Sequence, residues 1–273
     1  MLVQADVGYN IVLLENSFNG NPAITSVNTN YAILDAAEGL FWGQGYGNWF
    51  LARNTITNYS LEAIQLNSAP AAVVGNDFGG FVSGGATCAL NGWGSTLPTV
   101  TGSVLDRFFS FIGNSVASGR HGELGALYNA SEKSYRLNFC GNTISLYPAF
   151  NRADDYPGAV VTAKEAEFCN ISGNTLVAGG HGVHLLDNCT NAVILKNDFG
   201  TATHRAIAYS GTNGVIKNII VVKNILGQGD SYHLRLPHPD AFNYFLIRNT
   251  YKDGASTNNA FLDPAASPVH FSY

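Results

Sequence analysis

The sequence predicts an all-β solenoid, a single domain in which short strands stack coil upon coil, and three observations predict it. An Asn closing a short apolar run recurs nine times, in LLENSF, LARNTI, VVGNDF, FIGNSV, FCGNTI, ISGNTL, LKNDF, VVKNIL and LIRNTY. These are Asn16, Asn54, Asn76, Asn114, Asn142, Asn174, Asn197, Asn224 and Asn249, spaced 22 to 38 residues apart. A second short strand follows each later Asn, usually 9 to 13 residues on, read at 63–66, 87–90, 125–128, 159–162, 182–185, 206–209, 233–236 and 260–263.

Each element follows from the physics of stacking. A coil of this size cannot bury its apolar side alone, so its neighbours must cover it. Hydrogen-bonded coils lie about 4.8 Å apart, which brings the same corner of every coil into line. An inward Asn at that corner bonds the turn backbone and the Asn of the next coil, so the nine form a ladder. Asn is common in turns for its own reasons, but that does not place apolar residues on both sides of it nine times.

On these motifs the chain resembles the right-handed parallel β-helix repeat family, the pectate-lyase-like superfamily, over essentially its whole length. The resemblance implies about nine to ten coils over residues 1–273. It also implies an extracellular protein acting on polysaccharide. The superfamily includes lyases, glycoside hydrolases, epimerases, tailspikes and non-catalytic surface proteins, so the fold does not choose among them.

Composition narrows the classes. Charged residues make up 12% of the chain and the net charge is −5, which offers no basic stripe for nucleic acid. No apolar run approaches the length of a membrane span. Cys88, Cys140, Cys169 and Cys189 match no metal spacing and are expected as free thiols. Met1 leads directly into LVQADVGYNIVLLEN, half a coil already in register. A first coil without a cap would expose strand edges and core. The chain is therefore expected to be part of a longer one lacking its N-terminal coils. The alternative is a first coil covered by a partner or another copy in a homo-oligomer.

Insertions mark where function is sought, because loops on a rigid scaffold carry it. DAAEGLFWGQGYGNWF (35–50) and NGWGSTLPTVTGSVLDRF (91–108) hold Trp42, Tyr46, Trp49 and Trp93. Aromatic planes of this kind pack on the CH face of a sugar ring while keeping a polar handle. SLYPAFNRADDYPG carries Asp154 and Asp155 out from the opposite corner, with Glu123 one coil before and His181, His204 and Arg205 on the coils after.

The strand at 182–185 reads GVHL. Alternation turns Val183 and Leu185 in and His184 out, and the same count turns Gln65, Ala208 and Arg235 out, with His233 at the head of its strand. Gly182 and Val183 follow the repeat, whereas His181 and His184 are not required by it. His184 and Arg235, two coils apart, would stand about 10 Å from each other. A groove is expected with Asp154, Asp155, His181, His204 and Arg205 along its edge, His184 and Arg235 on its floor, and the Trp loops extending it.

Two chemistries suit such a groove. A lyase needs a cation for the uronate carboxylate, from Arg205 or Arg235, and a base, from His184, His204 or His233. The resemblance allows calcium held by Asp154, Asp155 and Glu123 as a cofactor. A hydrolase needs two carboxyl groups. Asp154-Asp155 followed by Gly180-His181-Gly182 resembles polygalacturonase-type hydrolases, although their Asn-Thr-Asp and Arg-x-Lys are replaced by GALYNAS and HRAIAY. The alternative is a non-catalytic glycan-binding module or a structural stalk.

Overall fold

The computed structural model describes residues 3–5, 10–19, 33–35, 48–58, 64–66, 71–79, 88–90, 108–117, 128–129, 136–145, 159–164, 167–178, 181–186, 189–202, 205–210, 216–227, 234–235, 241–252 and 270–271. Among them the chain is a parallel β-helix. Three sheets, here I, II and III, contain nine, ten and nine strands, and every paired strand runs parallel to its neighbour one coil away. No helix among these residues is long and apolar enough to cross a membrane.

Each coil spends one strand on each sheet. The apolar run before a ladder Asn lies in sheet II, as in Asn10–Leu14 and Arg136–Cys140. The residues just after the Asn form sheet III, with strands as short as Ser17–Asn19 and Thr55–Thr57. The second strand of the sequence pattern forms sheet I, including Ala159–Lys164, His181–Leu186, Ile207–Ser210 and Leu234–Arg235. Sheet III was not separated in the sequence reading, which ran it into the Asn turn. The strand read at 260–263 lies outside the described residues.

Register turns alternation into continuous columns. In sheet II, Leu51, Val73, Phe111, Phe139, Ile171, Ile194 and Val221 are stacked partners and fully buried. Phe111 and Phe139 stack with ring centroids 5.2 Å apart, and Phe78 of sheet III joins them at 5.9 Å from Phe111. Sheet III contributes Phe18, Ile56, Val116, Ile144, Leu176 and Phe199 to the same core.

The corner between sheets II and III holds the ladder. The Asn142 side chain accepts at Oδ1 from the Asn114 backbone N–H at 2.8 Å and donates to Asn174 Oδ1 at 2.9 Å and to Phe111 O at 2.9 Å. The pattern repeats from Asn16 to Asn249. Asn54, Asn76, Asn114, Asn142, Asn174, Asn197 and Asn224 are all buried, and each amide is satisfied by its neighbours. The residue before each Asn is left-handed, with φ between 50° and 65° from Glu15 to Arg248. This turns the chain while its N–H still bonds the next coil, as from Gly141 to Ser172 O at 2.9 Å.

Cys169 and Cys189 are buried thiols, Cys189 donating to Ala163 O at 3.2 Å, and Cys140 is a half-buried thiol. Burial, with Cys189 nearby, pushes the Cys169 thiol well up, so it stays protonated and acts as a small apolar core residue.

Candidate functional site

Sheet I brings the expected groove strands together. Ala159–Lys164, His181–Leu186, Ile207–Ser210 and Leu234–Arg235 are consecutive neighbours. Thr162, His184, Ala208 and Arg235 are partners in one column, which continues toward the first coils through Tyr128, Ala89 and Gln65. His184 and Arg235 are thus two coils apart, at about 10 Å by strand spacing.

The strand His181–Leu186 departs from simple alternation at its start. A regular parallel strand sends every second N–H to the same neighbour. Here the N–H of Gly182 donates to Arg205 O at 3.2 Å and the N–H of Val183 donates to Ala206 O at 2.9 Å. Both residues face inward. A Cβ on Gly182 would lie 2.5 Å from Cγ of Phe199, a core residue, and Val183 is itself in the core.

Two consecutive inward residues put both flanking histidines on the outer side of the sheet. Their ring centroids are 5.5 Å apart at a tilt of 43°. Had alternation been regular, residues three apart would have pointed to opposite faces. Beyond the kink alternation resumes, with Val183 and Leu185 in the core and His184 between them on the strand, paired with Ala208 of the next coil.

Both histidines are shielded, His181 at 1% and His184 at 4% exposure. The sequence reading put them on an open floor and edge; in the structure both are buried. His181 Nδ1 sits 3.1 Å from the Arg205 backbone nitrogen and 3.2 Å from its carbonyl oxygen. An unprotonated Nδ1 accepts from that N–H, and a protonated Nδ1 donates to that oxygen. Which of the two bonds is made depends on the tautomer of the ring.

The remaining expected residues divide by position. Arg205 is half-buried beside His181 through its backbone. Arg235 has its backbone in the His184 column. Trp49 requires a correction. It belongs to the strand Asn48–Ala52 of sheet II, pairs with Ile11 and Ala71, and is a core residue at 3% exposure, so its ring is not available to a sugar. Trp42, Tyr46, Trp93, Glu123, Asp154, Asp155, His204 and His233 lie outside the described residues, and with them the expected calcium ligands. Among the described residues no three His, Cys, Asp or Glu side chains gather as a metal site.

Sequence reasoning gave Gly182 no role beyond the repeat. Its signal was present in HGVH: a glycine between two histidines, where any side chain would meet the core. No protein-family model, curated protein or solved structure matches the chain.

Proposed function

We propose that this chain belongs to the pectate-lyase-like superfamily and is an extracellular, secreted or surface-held protein acting on an acidic, uronate-containing polysaccharide. The outer side of sheet I around His181 and His184 is its site. The paired imidazoles carry this reading, since the stacked repeat has no use for two histidine rings side by side on the outer side of the core.

As a lyase, the protein would use His184 as the base that removes the proton beside the uronate carboxylate. Arg235 or Arg205 would neutralise that carboxylate, and the glycosidic oxygen would leave. A ring C=C bond would form as the bond to the glycosidic oxygen breaks, and His181, beside His184, would return the proton to that leaving oxygen. Asp154, Asp155, His204 and His233 would border the groove, with Trp42, Tyr46, Trp93 and Glu123 holding further sugar units. A hydrolase would instead assign Asp154 and Asp155 to protonate the leaving oxygen and direct water.

The shielding of both rings favours a second reading, a glycan-binding or structural β-helix without turnover. Incubation with a panel of acidic polysaccharides separates them. A lyase produces unsaturated-uronate absorbance and new reducing ends; a hydrolase produces reducing ends alone. His184→Ala should remove either signal. Polysaccharide retained without any product supports glycan binding, and neither product nor retention leaves the structural β-helix alone standing.

A further inference from the structure

Sheet II has an outer face with a composition unlike a solvated surface. The side chains that alternate with its core column stand in two rows, kept straight by the register. One row runs from Val12 and Phe50 to Phe245, the other from Leu14 and Ile112 to Ile247. Neither row contains a charged residue along those nine strands. Val12, Leu14, Phe50, Ile112 and Phe245 are 37% to 61% exposed. Parallel sheets are ordinarily covered on both faces, and an apolar patch of several hundred Å² marks an interaction site.

The face reads alike from either end. Its three central strands carry Ser110, Asn138, Asn170 and Ser172, with Asn138 Nδ2 3.5 Å from Ser110 Oγ. The three strands before them and the three after them present apolar side chains in both rows, centred on Arg136–Cys140. Nine strands of four to seven residues span roughly 40 Å by about 16 Å at their common width, about 600 Å² of flat area before side-chain relief is added. A stable interface takes about 800 Å² from each partner.

We propose that this face packs against the same face of a second copy, about a two-fold axis along the strand direction, with the solenoid axes antiparallel. A two-fold interface must be complementary to itself, and the symmetric pattern satisfies that. Each apolar third lies on an apolar third, and the Ser and Asn strands meet one another at the centre. Val12 of one copy lies against Phe245 of the other. This pairing is independent of any action on polysaccharide.

Sedimentation velocity of the full chain at about ten micromolar tests it. The expected species is a pair of 29.1 kDa chains. Val12→Asp or Phe245→Lys alone should weaken the pair by about a hundredfold or more, because each buries an unpaired charge. The two changes in one chain place Asp against Lys across the interface and should restore the pair. Val177→Asp, on the exposed outer side of sheet III, should leave it intact. Far-UV circular dichroism checks each variant's fold, and Phe50→Asp replaces any that unfolds. A monomeric wild type, or a pair that survives each single charge, overturns the proposal. A double variant that remains monomeric overturns the antiparallel arrangement.

Discussion

Asn174→Ala should lower the unfolding free energy by on the order of 3 kcal/mol, among the larger effects of a single truncation. The Asn174 side chain donates to Phe139 O at 2.8 Å and to Asn197 Oδ1 at 2.9 Å. Its Oδ1 accepts from the backbone N–H of Asn142 at 3.0 Å and from Asn142 Nδ2 at 2.9 Å. Alanine removes all four bonds at a fully buried corner. The Asn142 N–H then has no acceptor from the ladder, and each orphaned buried group costs about 1–3 kcal/mol. Asn142 Nδ2 keeps Phe111 O, and Asn197 Oδ1 keeps the backbone N–H of residue 174, so the loss stops short of the full sum. Asn16→Ala is the control. Asn16 is exposed at the end of the ladder and donates to Asn54 Oδ1, so its loss should cost less than about 1 kcal/mol. Chemical denaturation of both variants measures the contrast; equal midpoints would show that the ladder does not hold the coils.

Gly182→Ala should destabilise by about 3 kcal/mol or more and should separate the two histidines. A Cβ at this position collides with the carbonyl oxygen of Ala206 and lies 2.5 Å and 2.6 Å from ring carbons of Phe199. The carbonyl already accepts the Val183 N–H, and Phe199 is fully buried, so neither has room to yield. Overpacking of a core commonly costs about 1–3 kcal/mol, and a fixed backbone atom places this case at the upper end. The strand can relieve the clash only by undoing the inward pair Gly182–Val183. That returns His181 to the opposite side from His184. The melting temperature reports the first effect. Loss of polysaccharide action at temperatures where the variant remains folded reports the second.

Much of the fold was legible because its determinants are local and repeated. An Asn between apolar residues must be both buried and bonded, and only stacked coils offer both. Sheet III escaped because strands such as Thr55–Thr57 and Asp77–Gly79 are too short for alternation to register. The left-handed corners escaped because five of them are Glu15, Arg53, Lys196, Lys223 and Arg248, with no Gly or Asn to mark the turn.

In the candidate site, the column from His184 to Arg235 was legible from a period of two. The kink at Gly182 was not, since it depends on Phe199, which approaches from a different sheet of the next coil. The shielding of His181 and His184 was not legible either, because burial is set by whatever lies over a face. Trp49 was misread because loop composition runs unbroken into its strand in WGQGYGNWF, and only pairing with Ile11 reveals it as core.

Whether the outer side of sheet I meets the polymer is read most directly from the histidine ring resonances during titration with an acidic oligouronide. The seven histidines are assigned by single His→Gln replacements. The resonances of His181 and His184 should shift together and saturably, with His184 moving most. A ligand that binds or turns over while both resonances stay in place would contradict the site.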